Sequence, residues 1–205
     1  MLSIQYFCIQ WVVAMAWKVP YSWLHNVISD LGNTACGQYG SHFVCSPLHS
    51  LMNASFIMLG CTMAAGSLLI YQEFKKSPAS LVGFSLMALA GAGTIVVGLF
   101  PENTVHALHT GGAFQPFFFG NISLVILGSS LQIPRLLRTV TILTGCIALI
   151  AFGLLVTNHY LGLGSGGMER LTAYPQTCWL IIFGSYMSRR HYLSMKRHGR
   201  PKFRV

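Results

Sequence analysis

The stretch ASLVGFSLMALAGAGTIVVGLF, residues 79–100, holds 22 residues without a single charge. That is enough helix to cross the hydrocarbon core of a bilayer, which takes about 20 mostly apolar residues. Four more runs of this kind flank it: Pro47 to Tyr71, Ala107 to Leu131, Leu136 to Thr157, and Leu171 to Met187 with its flanks. A sixth, Leu2 to Trp17, is shorter and is interrupted by Gln5 and Gln10. The expectation is an all-α, polytopic membrane helix bundle of six transmembrane helices in one domain, residues 1–205. The spans fall near 2–19, 47–71, 79–100, 102–131, 135–158 and 169–189, ahead of a basic tail at 190–205. Ala14-Met15-Ala16 also fits a signal-peptide cleavage pattern, which would leave five spans. Against cleavage, no Lys or Arg precedes the apolar stretch.

Composition agrees with this frame. Hydrophobic residues make up 53% of the 205 and charged residues only 8%, far below the quarter usual in soluble domains. The formal charge of +9 would suit a nucleic-acid partner if it lay along one polar face. The thirteen Lys and Arg instead sit in short clusters between apolar runs, so topology explains them and nucleic acid is excluded as a partner. Lys75 and Lys76, Arg135 and Arg138, and Arg189, Arg190, Lys196, Arg197, Arg200, Lys202 and Arg204 fall on one side of a six-span chain, and only Lys18 and Arg170 on the other. The positive-inside rule then places both termini in the cytoplasm of a cell (plasma) membrane protein whose surroundings are lipid. Gly60 with Ala64, and Ala88 with Ala92, are small residues four apart that let helices approach closely.

With that sidedness, three of the four acids (Asp30, Glu102, Glu169) and six of the eight histidines (His25, His42, His49, His106, His109, His159) gather at the outer face, beside Asn33, Asn53, Asn103 and Asn158. Ionisable groups near lipid are costly, so a one-sided concentration reads as a site. Pro101-Glu102 is a suitable start for the fourth helix, which would put Glu102, His106 and His109 on one face at i, i+4 and i+7. With His49 and His159 from other helices, these imidazoles could hold zinc or shuttle protons, with Glu102 or Asp30 as general base. The spacing is not a diagnostic zinc motif. Asn33, Asn53, Asn103, Glu169 and Arg170 complete a candidate ligand-binding set.

Trp23, Leu24, Val27, Ile28 and Leu31 are spaced as an apolar helical stripe, which predicts a short amphipathic helix lying on the membrane as a lid. Gly32 would cap it and Asp30 would end it. Cys36 and Cys45 share this outer segment and can oxidise there; bridging them would contribute roughly 2 to 3 kcal/mol. Paired zinc ligation is the weaker alternative. The loop Gly162-Leu163-Gly164-Ser165-Gly166-Gly167 ahead of Glu169 and Arg170 permits close backbone approach, and weakly suggests a phosphate cradle.

YSWLHNVISDLGNTACG at 21–37, VCSPLH at 44–49, GLFPEN at 98–103 and HYLG at 159–162 together resemble a bacterial integral-membrane family catalogued as domain of unknown function 998. The resemblance covers nearly the whole chain and implies a membrane bundle, with no activity, cofactor or catalytic residue attached. The opening helix is shorter than that family leads one to expect. A more distant similarity is to the CREST membrane hydrolases, which use serine, aspartate and histidines around zinc. Ser46, Asp30, His49, His106 and His109 echo that set only loosely.

The leading functional expectation is a hydrolase or transferase acting on a lipid or lipid-linked substrate at the outer face. The alternative is a non-catalytic transporter, sensor or lipid-binding protein with an outer pocket, in which Gln115, Pro116 and Asn121 line a path. Haem held by facing histidines is a third, although no Cys-x-x-Cys-His motif is present.

Overall fold

The computed structural model of the protein describes residues 2–40, 42–74 and 77–198. Seven α-helices lie among them: α1 (Ile4–Met15), α2 (His49–Tyr71), α3 (Pro78–Leu99), α4 (His106–Phe114), α5 (Asn121–Ser130), α6 (Arg135–Val156) and α7 (Gly164–His198). One wide π turn, Gln115–Gly120, joins α4 to α5, so that His106–Ser130 runs as a single 25-residue unit. Pro116 sits inside this turn; proline has no N–H to give an α-helical ladder, and a widened turn accommodates the loss. The Pro116 carbonyl is taken by the Gln176 side-chain amide at 2.8 Å.

Among the described residues four units are long and apolar enough to cross a membrane: α2, α3, His106–Ser130 and α6. The chain is a multi-pass, lipid-contacting membrane protein. The outer rows of these helices are free of charge and exposed, as at Leu68, Leu69, Leu143 and Ile150, the pattern of a surface that meets acyl chains rather than water.

The helices pack through glycines rather than through a hydrophobic drive, which lipid does not supply. A Cβ at Gly60 on α2 would lie 2.5 Å from the Gly91 carbonyl oxygen on α3, and one at Gly91 would lie 2.6 Å from the Gly60 oxygen. Gly60 and Ala64 therefore do serve the contact expected of them, whereas on α3 the role belongs to Gly91. Ala92 is exposed and faces a shallow groove beside α4.

Gln5 and Gln10, which interrupt the first apolar run, are bonded inside the bundle. Gln5 Nε2 donates to the Ser55 carbonyl at 3.2 Å and Ser55 Oγ donates to Gln5 Oε1 at 2.8 Å; Tyr174 OH donates to Gln10 Oε1 at 2.9 Å. Tyr6 and Val13 are core residues. The first segment packs into the bundle, and α1 is shorter than the expected 2–19.

Three local expectations are corrected. The amphipathic lid helix does not form: residues 21–34 make turns and one short 3₁₀ helix, Ser29–Gly32. Its Asn and Asp side chains bond nearby backbone instead, Asn26 Oδ1 accepting from Ser22 N at 3.0 Å and Asp30 Oδ2 from Val27 N at 3.1 Å, and such bonds compete with a helix. Ile28 and Leu31 point into the core. The chain is also not purely helical: β1 (Cys36–Tyr39) and β2 (His42–Cys45) form an antiparallel hairpin with Cys36 opposite Cys45 and Tyr39 opposite His42. Finally, α7 begins at Gly164, inside the stretch read as a loop, and runs for 35 residues. Of the basic residues that fixed sidedness, Lys75, Lys76, Arg200, Lys202 and Arg204 lie outside the described residues.

Cys36 and Cys45 form a disulfide that closes the hairpin. Replacing both with serine is expected to lower stability by about 2–3 kcal/mol on loop-closure grounds. Thermal melting in detergent, with and without reductant, checks this: reductant should destabilise only the native chain.

Candidate functional site

Segment 21–34 is seated on the end of the bundle where α2, α4 and α7 begin. Ser46 Oγ donates to the Leu31 carbonyl at 2.6 Å and Asn53 Nδ2 to the Gly32 carbonyl at 2.9 Å. From α7, Arg170 Nη1 donates to the carbonyls of Trp23 (2.9 Å) and Asn26 (2.8 Å), and Nη2 donates to the Tyr21 hydroxyl. The guanidinium lies 4.8 Å from the Trp23 ring centroid, a cation–π contact. Ser165 Oγ bonds the His25 carbonyl at 2.7 Å.

Gly166 makes this seat possible, because a Cβ there would collide with the Asn26 carbonyl oxygen. Gly166→Ala is expected to cost about 1–3 kcal/mol, as overpacking does, read as a lowered melting temperature together with faster proteolysis within residues 21–34.

Two buried acids meet beneath the segment. Asp30 is wholly buried; its Oδ2 accepts from Asn26 Nδ2 (3.0 Å), Val27 N (3.1 Å) and His42 Nε2 (2.8 Å). Its Oδ1 is buried with no hydrogen-bond partner among the described residues. Glu102 is also buried, with Oε1 accepting from Asn33 Nδ2 at 2.9 Å. Burial, then the neighbouring Asp30 charge, pushes the Glu102 carboxyl up to about 8, so it is mainly neutral near pH 7. Asn103 bonds Thr34 through both ends of its amide, 3.0 Å from Thr34 N and 2.9 Å from Thr34 Oγ1. Glu169 accepts from Ile28 N.

The arrangement with most chemical capacity is one residue before Asp30. Ser29 Oγ lies 2.9 Å from His109 Nε2, and His109 Nδ1 lies 2.9 Å from the Phe100 carbonyl oxygen. A carbonyl only accepts, so Nδ1 carries the proton, and the Nε2 of the neutral ring is left to accept from the Ser29 hydroxyl. A nucleophile on a base that a third group orients is the logic of a catalytic dyad. Ser29 and Glu169 also line a narrow cleft whose walls include Phe56, Leu59, Val97 and Phe117, with about 40 Å³ of free space at water size. That is room for a few waters.

The metal set expected from the sequence is not assembled. Pro101 to Thr104 form a turn, Thr104 N bonding the Pro101 carbonyl at 2.9 Å, and α4 starts only at His106. Glu102 and Asn103 are held by Asn33 and Thr34, so Glu102 cannot share a helical face with His106 and His109. His106 is exposed and bonds Thr110 at 3.3 Å; among the described residues the His49 ring bonds only its neighbour Ser50, at 3.3 Å; His159 is exposed beyond α6. Among the described residues no group of three His, Cys, Asp or Glu is placed to hold a metal ion. His109, engaged on both nitrogens, is not free for haem either. Ser46 is a pin for Leu31 rather than part of a zinc site, and Arg170 turns into the 21–34 segment instead of cradling a phosphate.

Ser29 and His42 were missed as site residues in the sequence. Ser29 looked like polar circumference on a helix that does not form, and His42 lies on the unforeseen hairpin. The adjacency Ser29-Asp30 inside an outer segment was the available signal.

No curated protein and no solved structure matches the chain. A family model matches residues 1–186. With that match across most of its length, the chain belongs to the family described as protein of unknown function DUF998.

Proposed function

We propose that this membrane protein is a hydrolase or group transferase acting on an ester of a lipid or lipid-linked substrate at the outer membrane face. The observation that carries the reading is the 2.9 Å contact of Ser29 Oγ with His109 Nε2 on the wall of an apolar cleft. In this reading Ser29 Oγ attacks the ester carbonyl carbon while His109 Nε2 takes its proton. The bond to the leaving alcohol breaks, and His109 returns the proton to that oxygen. Water, or an acceptor alcohol in a transferase, gives its proton to His109 and attacks the acyl carbon; the acyl–Oγ bond then breaks and His109 returns the proton to Ser29 Oγ. His109 thus takes the base role in place of Glu102 or Asp30, whose bonds hold the segment that presents Ser29.

The same proposal includes six spans: α1, α2, α3, His106–Ser130, α6 and α7. Both termini are then cytoplasmic in the plasma membrane. Arg135 and Arg138 open α6, and Arg190, 5.5 Å from the Phe74 ring centroid, belongs to the same end of the bundle, away from Ser29. The 12 residues of α1 rise about 18 Å, so the bilayer thins around it or its flanks complete the crossing.

The test is product release by purified protein in proteoliposomes of ester lipids, followed by mass spectrometry. Free fatty acid or transferred acyl chains above the protein-free control are expected; their absence from every ester-lipid class tested, with the protein folded, contradicts the reading.

One observation favours a second reading, a polar-ligand carrier. Gln115 Oε1, Asn121 Oδ1 and Gln176 Oε1 are buried acceptors without donors among the described residues, clustered around Pro116, and such groups ordinarily find a partner. Uptake of small polar solutes into proteoliposomes, lost in Gln176→Leu, would favour it over catalysis.

A further inference from the structure

We propose that Glu102 and Asp30 share one proton, and that this proton is a latch: it holds the 101–104 turn against segment 21–34 and, through Phe100, keeps the His109 ring in place. The latch is independent of any chemistry at Ser29.

Asp30 is wholly buried, and its Oδ2 already takes three N–H donors, from Asn26 Nδ2, Val27 N and His42 Nε2. Its Oδ1 is sealed from solvent and meets no donor among the described residues. The Glu102 carboxyl lies within hydrogen-bond reach of Asp30; it is buried too, and its Oε1 accepts from Asn33 Nδ2. Two carboxylates held together out of water repel, and a buried acceptor without a donor is costly. One proton between the Glu102 carboxyl and Asp30 Oδ1 removes both penalties, because a protonated carboxyl donates an O–H. Burial, then the Asp30 charge, holds the Glu102 carboxyl up to about 8, so the proton stays in place near neutrality.

The titratable and charged groups packed around the pair are otherwise engaged. From the hairpin, His42 bonds Asp30 Oδ2 and Tyr39 OH donates to the Glu102 backbone carbonyl at 3.0 Å. From α4, His109 is held by Ser29 and Phe100. From α7, Glu169 accepts from Ile28 N, and Arg170 donates to the carbonyls of Trp23, Asn26 and Gly166. Among the described residues none of them forms an ion pair with Glu102, so nothing else offsets its charge once the proton leaves.

The turn is the less anchored partner. Pro101 to Thr104 are closed by one backbone bond and tied down through Asn33, Thr34 and Tyr39. Segment 21–34 is pinned in addition from α2 and α7, by Asn53 and Arg170. Two like charges facing each other therefore move the turn, which carries Glu102 toward water. Phe100 immediately precedes that turn, and its carbonyl accepts from His109 Nδ1 at 2.9 Å. Release of the turn loosens the hold on the ring.

Hydrogen exchange read by mass spectrometry on the full chain in nanodiscs tests the latch. After correction for the intrinsic pH dependence of exchange, the peptide covering residues 99–109 is expected to lose protection about ten-fold between about pH 6 and about pH 10, with a midpoint near 8. Glu102→Gln and Asp30→Asn should each abolish that loss, since an amide N–H then bridges the two side chains with no proton to give up. A variant that merely loosens the fold would lower protection at every pH instead. Native protection that stays constant across the range overturns the proposal without recourse to any variant. A pH-dependent loss that persists in Glu102→Gln or Asp30→Asn overturns it as well.

Discussion

Ser29→Ala is expected to reduce turnover of the ester lipid by about 10³-fold or more while the chain keeps its fold. The change removes one hydroxyl from a half-buried position, which leaves His109 Nε2 without its donor and costs about 0.5–1.5 kcal/mol of stability. Among the described residues His109 is the one side-chain partner of that oxygen. His109→Ala should lower turnover by a comparable factor, and the double variant should be little worse than either single one, because a nucleophile and its base act as one unit. Turnover is measured in proteoliposomes with helix content and melting temperature as controls. Retained turnover in Ser29→Ala would remove Ser29 from the chemistry, whatever its geometry.

Glu102→Gln is expected to raise stability above neutral pH. The folded-state carboxyl is held up to about 8 against an ordinary value of 4.5, so the folded chain binds a proton there that the unfolded chain releases. For such a group the stabilising contribution is complete below about 4.5, and it is lost as pH rises through about 8. The loss is on the order of a few kcal/mol for a shift of this size. Glutamine keeps an acceptor for Asn33 Nδ2 and supplies an amide N–H for the unpartnered Asp30 Oδ1, with no proton to lose. The native protein's melting temperature should therefore fall between pH 5 and about 8 more steeply than the variant's. The His42–Asp30 contact is common to both proteins, so the difference between the two curves isolates Glu102. Parallel curves would show that Glu102 ionises normally.

Much of the bundle was legible because lipid imposes a length and a composition on every span. Pro47 to Tyr71, Ala79 to Phe100 and Leu136 to Thr157 became α2, α3 and α6 with ends within a few residues. The outer segment was not legible in the same way. Trp23 to Leu31 carry a helical period, but Asn26 and Asp30 bond their own backbone, and of the apolar stripe Ile28 and Leu31 are buried in the bundle while Leu24 stays exposed.

Site residues divide along the same line. Asp30, Asn33 and Glu102 come together because each is buried and needs a partner. His49, His106 and His159 do not; they are helix-end polarity with only local bonds. Residue type could not separate the two groups, since burial decides which histidine is forced to find a partner. His109 is buried and bonds across the fold at both nitrogens, whereas His106, three residues away, is exposed.

A long-chain alkyl fluorophosphonate, which couples the reactive warhead to a chain suited to the apolar cleft, tests the Ser29–His109 assignment most directly. Peptide mass mapping after exposure of the native protein in lipid is predicted to find the phosphonyl adduct on Ser29, formed with loss of fluoride, and formed at least about 10²-fold more slowly in His109→Ala. A folded protein that carries no adduct on Ser29, or one that labels equally fast without His109, would contradict the account.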